Sequence, residues 1–473
     1  MLADAVLRFV VRPAVQSVAV ALAVLGLALA QDIAVVDGST ATIPGTYASD
    51  TYNFVDVTGT SVTGTSTLIV NDLLTVTTAL NVTDFGTLIV NDNVTLSSTA
   101  SANFYLDGSL VLNSGTVGGG GLMYLQGPNA FQRTGGRYRV ESLAVDGATA
   151  DFTAGDSITR GLSMFANANF TIGTNLTLTG TDPLNDGLYV TGSGSIFQRT
   201  NGATLTAQVV NADSGAVIQT LPGDVLTNAI LLASFGGSII NSGSQTLRAV
   251  DVSGAGSSFV TTAPLTIIDG DPLTYDLNIT NGGRFDADAD VTVGLARVQG
   301  GTLNLLSGTA SATDLIVLSG SLSREAGAAY DVGTLFLQSA AMNFLAGDSL
   351  SLLTLGGSAT FVTGTSLAAL DLQDLSIIDP TAQLILGSFD GTDSAVNGWG
   401  LKVSGNLESQ ILGYVADSQI VGSAAQGLSV IYSDSTNATY VTAVPEPSTL
   451  ALVAAGGLVV GWQAVRRRRR AAD

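Results

Sequence analysis

The chain has 473 residues, no histidine, no cysteine and 38 acidic against 17 basic side chains, a net charge of −21. These absences exclude a Ser-His-Asp triad, histidine-ligated zinc, a thiol nucleophile, a thiolate metal site and any disulfide staple. Between its terminal segments, the body Gln31–Thr442 keeps Lys402 and nine arginines against 35 acids, about −25, so no basic cluster exists to neutralise phosphates and nucleic acid is excluded as a partner.

At the N-terminus, Arg8 and Arg12 precede an apolar stretch, Val18–Ala30, ending in Ala28-Leu29-Ala30. That order predicts a signal peptide over residues 1–30, cut after the small residues Ala28 and Ala30; a permanent N-terminal anchor is the alternative. The segment Gln31–Val62 is irregular and is expected to cap a repeat array that begins behind it.

Composition and repeats agree on the class of that array. Of the 38 acids 34 are aspartates, and with 56 glycines and abundant Thr, Ser and Val they describe an all-β chain of many tight turns. Thr67-Leu-Ile-Val-Asn-Asp72 returns as Thr87-Leu-Ile-Val-Asn-Asp92, with Leu74 and Val76 falling on Val94 and Leu96. Ser109-Leu-Val-Leu-Asn113 follows as a looser copy. Phe131-Gln-Arg-Thr-Gly135 matches Phe197-Gln-Arg-Thr-Asn201 at a spacing of 66, which reads as three turns of 22, and Asp314–Leu318 and Thr334–Leu337 lie 20 apart.

Short alternating runs at 20–22 residues predict a single-chain β-helix over residues 31–386, with the N-terminal cap at about 31–62. A leucine-rich repeat shares the period but needs a helical segment in each repeat, and none is visible. At roughly 21 residues per coil and ~4.8 Å per layer, about 16–17 coils and a rod on the order of 80 Å follow. Handedness is not written in the repeats; right-handed is the expectation by analogy.

Three internal features invite a chemical reading. Gly118–Gly121 has the glycine content of a phosphate cradle but no following Lys-Ser/Thr, and reads as a loop between coils. Arg133, Arg137 and Arg139 lie beside Glu141; alternation puts Arg137, Arg139 and Glu141 on one face, an ion-pair ladder on a solvated stripe. Asp286, Asp288 and Asp290 alternate, so in a strand they share a face and form a candidate for a weak surface Ca²⁺ contact, although Val291 stands where an EF-hand loop needs glycine. No cofactor is otherwise expected and no catalytic residue is assigned.

After Leu386 the repeat fades, and Asp390-Gly391 and Asn397-Gly398 signal turns. Residues 387–443 are expected to form a C-terminal β-cap of hairpin strands at Phe389–Asp393, Asn397–Val403, Gly427–Tyr432 and Thr439–Val441, with Trp399 plugging the last coil rather than stacking on a sugar. Then come Pro445, Glu446 and Pro447, an uncharged run Thr449–Val465, and Arg466, Arg467, Arg468, Arg469 and Arg470. Seventeen apolar residues are at the short limit for a transmembrane helix, and the arginines anchor it with the body facing away from the cytoplasm.

This arrangement over residues 444–473 resembles the PEP-CTERM sorting signal of exosortase-processed bacterial surface proteins, and the repeat style resembles the passenger β-helices of autotransporter-like surface proteins. The resemblance implies an exosortase-type processing enzyme as partner, transient anchoring in the inner membrane, cleavage near Pro445–Pro447, and release to the cell surface or exterior. It also implies an association with exopolysaccharide and biofilm. Three functions remain open: a non-enzymatic structural or interaction protein of the cell surface or exopolysaccharide matrix, which is the expectation here; an adhesin or carbohydrate-binding β-helix, which predicts a ladder of exposed aromatics, whereas only 6% of residues are aromatic and they are not expected to recur at one coil position; and a polysaccharide lyase or hydrolase, which needs clustered acids and a base.

Overall fold

The computed structural model describes residues 31–36, 40–43, 50–59, 66–84, 86–96, 103–128, 130–181, 186–268, 274–363, 370–387, 400–422 and 427–444. These residues form an all-β solenoid of about 15 turns with one short helix. The chain divides into two compact units, Met1–Ala289 and Asp290–Asp473. The signal segment 1–30, the apolar run 449–465 with its arginine tail, and Trp399 lie outside the described residues.

In the first unit the repeated hexapeptide is also the structural repeat. Strand Ser66–Val70 pairs in parallel with Gly86–Val90, residue for residue from Thr67↔Thr87 to Val70↔Val90, and Gly86–Val90 pairs with Ser109–Leu112. Leu74 and Val76 sit opposite Val94 and Leu96, as the 20-residue spacing requires. Because side chains alternate across a strand, Leu68, Leu88 and Leu110 stack in one fully buried column, each contributing roughly 1.5–3 kcal/mol of burial. The asparagine that ends each copy faces outward and continues the stack in polar form. Asn91 Nδ2 donates to Asn71 Oδ1 (2.7 Å), Asn113 Nδ2 to Asn91 Oδ1 (3.0 Å), and Thr134 Oγ1 to Asn113 Oδ1 (2.8 Å).

Further along the unit, Thr220, Asn241 and Thr261 are aligned by pairing and buried. Their ladder closes through Thr220 Oγ1 to Asn241 Oδ1 (2.7 Å) and Asn241 Nδ2 to Thr261 Oγ1 (3.1 Å). Inward aromatics stack in the same way: Phe259 and Phe285 are paired in register, with ring centroids 5.2 Å apart and nearly parallel.

Coil length is less regular than the repeats suggest. Ala150↔Phe170 spans 20 residues but Phe170↔Phe197 spans 27, so the 66-residue Phe-Gln-Arg-Thr spacing is not three equal turns. Such enlarged coils account for about 15 turns where uniform ones give 16–17. Gly118–Gly121 also departs from its expected loop. It lies inside strand Thr116–Gln126, at a register shift between Gly119 and Leu122. A Cβ at Gly118 would stand 2.7 Å from the Arg139 carbonyl oxygen, so only glycine permits the two backbones to approach this closely.

The second unit begins with long strands Val291–Ser307, Thr309–Arg324 and Ala329–Ser339, paired in parallel, with Asp314↔Thr334 and Leu315↔Leu335 as the second repeat predicts. The solenoid passes the expected boundary at residue 386: Leu370–Leu372 pairs in parallel with Leu401–Ser404, and Gln383–Leu386 with Ile420–Gly422. Leu401–Ser404 then pairs antiparallel with Ala438–Val444, which pairs antiparallel with Gly427–Ser433; the expected strand Phe389–Asp393 and the start of Asn397–Val403 lie outside the described residues.

Helix Glu408–Ala416 intervenes where only strands and turns were expected. It buries Ile411, and Gln410 Nε2 donates to the Leu375 carbonyl (3.3 Å), while Tyr414 Oη accepts the Ile377 N–H (3.2 Å). Nine residues are too few for a stable isolated helix, so these contacts to preceding coils hold it.

Candidate functional site

Two arrangements gather the charged and aromatic side chains. The first is a clasp used three times. Thr153-Ala-Gly-Asp156, Leu221-Pro-Gly-Asp224 and Leu345-Ala-Gly-Asp348 are turns in which the aspartate N–H returns to the carbonyl three residues back. The glycine before each aspartate has φ between +94° and +95°, the third position of a type II turn.

In each turn one aspartate oxygen accepts the N–H of the turn's first residue: Thr153 (2.7 Å), Leu221 (2.8 Å) or Leu345 (2.8 Å). The other accepts the N–H of Tyr138 (2.9 Å), Leu205 (2.8 Å) or Tyr330 (2.9 Å). An arginine 23–25 residues upstream completes each carboxylate: Arg133 to Asp156 at 2.7 Å, Arg199 to Asp224 at 2.5 Å, and Arg324 to Asp348. The aspartate side chains are fully buried and the arginines at most 10% exposed. Each guanidinium also lies over an aromatic ring, Arg133 over Phe131 and Tyr138, Arg199 over Phe197, and Arg324 over Tyr330. The three carboxylates are satisfied by the fold itself, whereas Arg133 keeps its Nε and Nη2 buried without a hydrogen-bond partner.

The second arrangement faces outward on the first unit. Tyr105 sits opposite Tyr124, and the register runs on through Ala144 and Ser163 to Tyr189. The Tyr105 and Tyr124 rings stack 5.2 Å apart at 6°, and Phe165 packs on Tyr189 at 5.9 Å. Their hydroxyls are committed to acceptors. Tyr105 donates to Gln126 Oε1 (2.6 Å), Tyr124 to Asp146 Oδ2 (2.5 Å), and Tyr189 to Asp213 Oδ2 (2.9 Å).

Beside the Tyr pair lies an open groove lined by Asp84, Thr87, Asp107, Ser109, Gln126, Gly127 and Pro128. Partial burial pushes the Asp107 carboxyl above its usual range, and the Asp84 and Asp146 carboxylates push it the same way. Burial, then the hydrogen bond to Asp146, raises the Tyr124 phenol well above its ordinary value.

Aromatics therefore do recur at one coil position, against the expectation from the sequence. The steps from Asn81 through Tyr105, Tyr124, Ala144 and Ser163 to Tyr189 are 24, 19, 20, 19 and 26 residues, so no fixed period aligns them. The signal available in the sequence was the alternation Phe104-Tyr105-Leu106 and Met123-Tyr124-Leu125, an aromatic between two inward apolar residues.

Other expected residues separate. Arg137, Arg139 and Glu141 are outward and exposed as alternation demands, but among the described residues no ion pair joins them, so the expected ladder does not form. Arg139 Nε reaches the Gly155 carbonyl instead (3.5 Å), and Arg133 is drawn inside by Asp156.

The candidate Ca²⁺ ligands fare similarly. Asp286 is buried and held through both oxygens by Arg284 Nε (2.7 and 2.8 Å), and Asp288 is the exposed last residue of strand Arg284–Asp288. Asp290 Oδ1 accepts the Thr309 N–H (2.9 Å). Because the strand stops at Asp288, the alternation that would align all three carboxylates does not extend to Asp290. Among the described residues no group of three or more acidic side chains is disposed to hold a metal ion. Nor is any described helix long and apolar enough to cross a membrane.

The fold thus defines a β-solenoid body. Residues 443–470 match the PEP-CTERM protein-sorting motif, covering Pro445, Glu446, Pro447 and Arg466–Arg470. That motif implies recognition by an exosortase, a processing enzyme, and export to the cell surface. No curated protein and no solved structure matches the chain.

Proposed function

We propose that this is a non-enzymatic structural and interaction protein of the cell surface or exopolysaccharide matrix. In this reading the apolar run Thr449–Val465 holds the chain transiently in the inner membrane, and cleavage near Pro445–Pro447 frees the body. The observation that carries the reading is the sorting motif at 443–470 directly behind a long solenoid body. The side chains that could do chemistry support it. Three of the ten basic residues of the body are sealed with a carboxylate inside the turns they stabilise, and Lys402 pairs with Asp371 at 2.6 Å.

The test is intact mass and terminal-peptide analysis of the protein recovered from the cell surface or medium. A C-terminus close to Pro445, with the arginine block lost, is the expected result. Full-length chain ending at Asp473 and retained in the inner membrane would overturn the reading.

A further inference from the structure

We infer that the outward aromatic face of the first unit, centred on Tyr105 and Tyr124 and the adjoining groove, binds a polysaccharide chain that carries no acidic groups. This deepens the matrix reading by naming a ligand class, and rests on that reading only for the ligand being within reach.

The geometry leads to this ligand in three steps. The rings are large, outward and fixed: each hydroxyl is tied to Gln126 or Asp146 and the two rings brace each other, so little side-chain entropy remains to be lost on binding. A sugar ring offers a C–H face to such an aromatic and hydroxyls around its rim. The groove beside the rings then supplies what those hydroxyls need. Asp84, Asp107 and Gln126 present acceptors, and Thr87 and Ser109 present groups that both donate and accept. A hydroxyl-rich chain satisfies these acceptors with its own donors, whereas an aliphatic protein surface would bury them unpaired.

Charge decides the last point. The Asp107 carboxyl already experiences Asp84 and Asp146, and the whole body carries about −25, so a uronate or sulfated polymer is repelled. The face is long enough for a chain rather than a single sugar. Tyr189 stands three coils beyond Tyr124 in the same column, about 14 Å away at one layer per coil. A second aromatic, Phe165, packs on it.

The experiment is isothermal titration of the full chain with cellohexaose, maltohexaose and an oligomannuronate of equal length. Binding of at least one neutral hexamer at least tenfold tighter than the uronate is expected. Tyr105→Ala should weaken that binding tenfold or more, while Tyr105→Phe, which keeps the ring and loses the hydroxyl, should stay within about threefold. Thermal melts guard against misfolding; Tyr105 is 36% exposed, so both variants should keep the parent's cooperative transition, with Tyr105→Ala lowered slightly by the lost stack on Tyr124.

Absence of neutral-hexamer binding at millimolar concentration would overturn the inference. So would equal affinity for the uronate, an unaffected Tyr105→Ala, or a Tyr105→Ala whose effect is on self-association in sedimentation instead of on glycan binding. A chain truncated near Pro445 at the surface that binds no hexamer sinks the ligand and spares the matrix reading. A full-length, membrane-retained chain that binds does the reverse.

Discussion

Asp224→Ala tests whether the buried clasps carry the weight their geometry implies. Asp224 is fully buried and receives three donors, the Arg199 guanidinium and the N–H groups of Leu205 and Leu221. Truncation leaves two buried N–H groups unpaired and a guanidinium only 7% exposed without its counter-charge. Breaking a buried pair from one side costs about 3–5 kcal/mol, because the surviving charge keeps its desolvation penalty. At a urea m-value of about 2–3 kcal/mol/M, that moves the midpoint of the affected transition by roughly 1–2 M.

A solenoid need not melt as one unit, so circular dichroism should be followed as a full urea curve, with the shift read on the transition that responds. The control is Arg199→Met with Asp224→Leu, which removes both charges and fills the space; it should recover at least half of the loss, although Leu205 and Leu221 still lack their acceptor. A loss below about 1 kcal/mol in Asp224→Ala, or a double variant no better than the single one, would refute the argument that this clasp is a desolvated charge pair.

Tyr138 is fully buried and donates to the Asp151 carbonyl (2.6 Å), and burial raises its phenol far above the ordinary value near 10. The unfolded chain therefore ionises first, so stability is held below about pH 10 and lost as pH climbs toward the folded value. Tyr138→Phe should cost about 1 kcal/mol at pH 7 and flatten the alkaline fall in Tm, measured from pH 8 to 12. Asp107 is shifted in the same sense at lower pH, since its folded carboxyl takes up a proton more readily than the unfolded one. Its ionised form thus destabilises the fold at neutrality; Asp107→Asn should raise Tm at pH 7, with the gain closing as pH falls below about 4. Gly413 lies within helix Glu408–Ala416 with open space where a Cβ would go, so Gly413→Ala should stabilise by about 0.5–1 kcal/mol in urea titration; a loss would show that the helix is held in a strained form.

What the sequence made legible was whatever repeats at a constant interval. Thr67–Asp72 and Thr87–Asp92 are in register because the intervening coil has 20 residues, and their asparagines recur because each donates to the last. The clasps were present but dispersed. Their Ala/Pro-Gly-Asp turns stand 68 and 124 residues apart, and each needs an arginine more than 20 positions upstream, a pairing that no apolar period announces. The Tyr105–Tyr124–Tyr189 column was hidden for a related reason: a solenoid fixes which residues face one another by hydrogen-bonded layers, while turns between layers absorb insertions freely. Helix Glu408–Ala416 was missed because its propensity is weak and its stability comes from Ile411, Gln410 and Tyr414 meeting coils distant in sequence.

The same layered construction explains why so acidic a chain can lack cysteine and still hold together. Stacked coils leave sheet edges open, and an open edge pairs with any other strand that reaches it. The clasps and ladders act on the axis of stacking: Thr220–Asn241–Thr261 and Asn71–Asn91–Asn113 link each coil to the next, and the carboxylates of Asp156, Asp224 and Asp348 bind backbone N–H groups both within their own turn and in an earlier part of the chain. The remaining aspartates serve the other direction. Those that face outward carry the surplus of about −25, which holds other copies of the chain apart while leaving uncharged partners free to approach. The result is a division of charge: neutralised inside the turns, and unneutralised around an aromatic face.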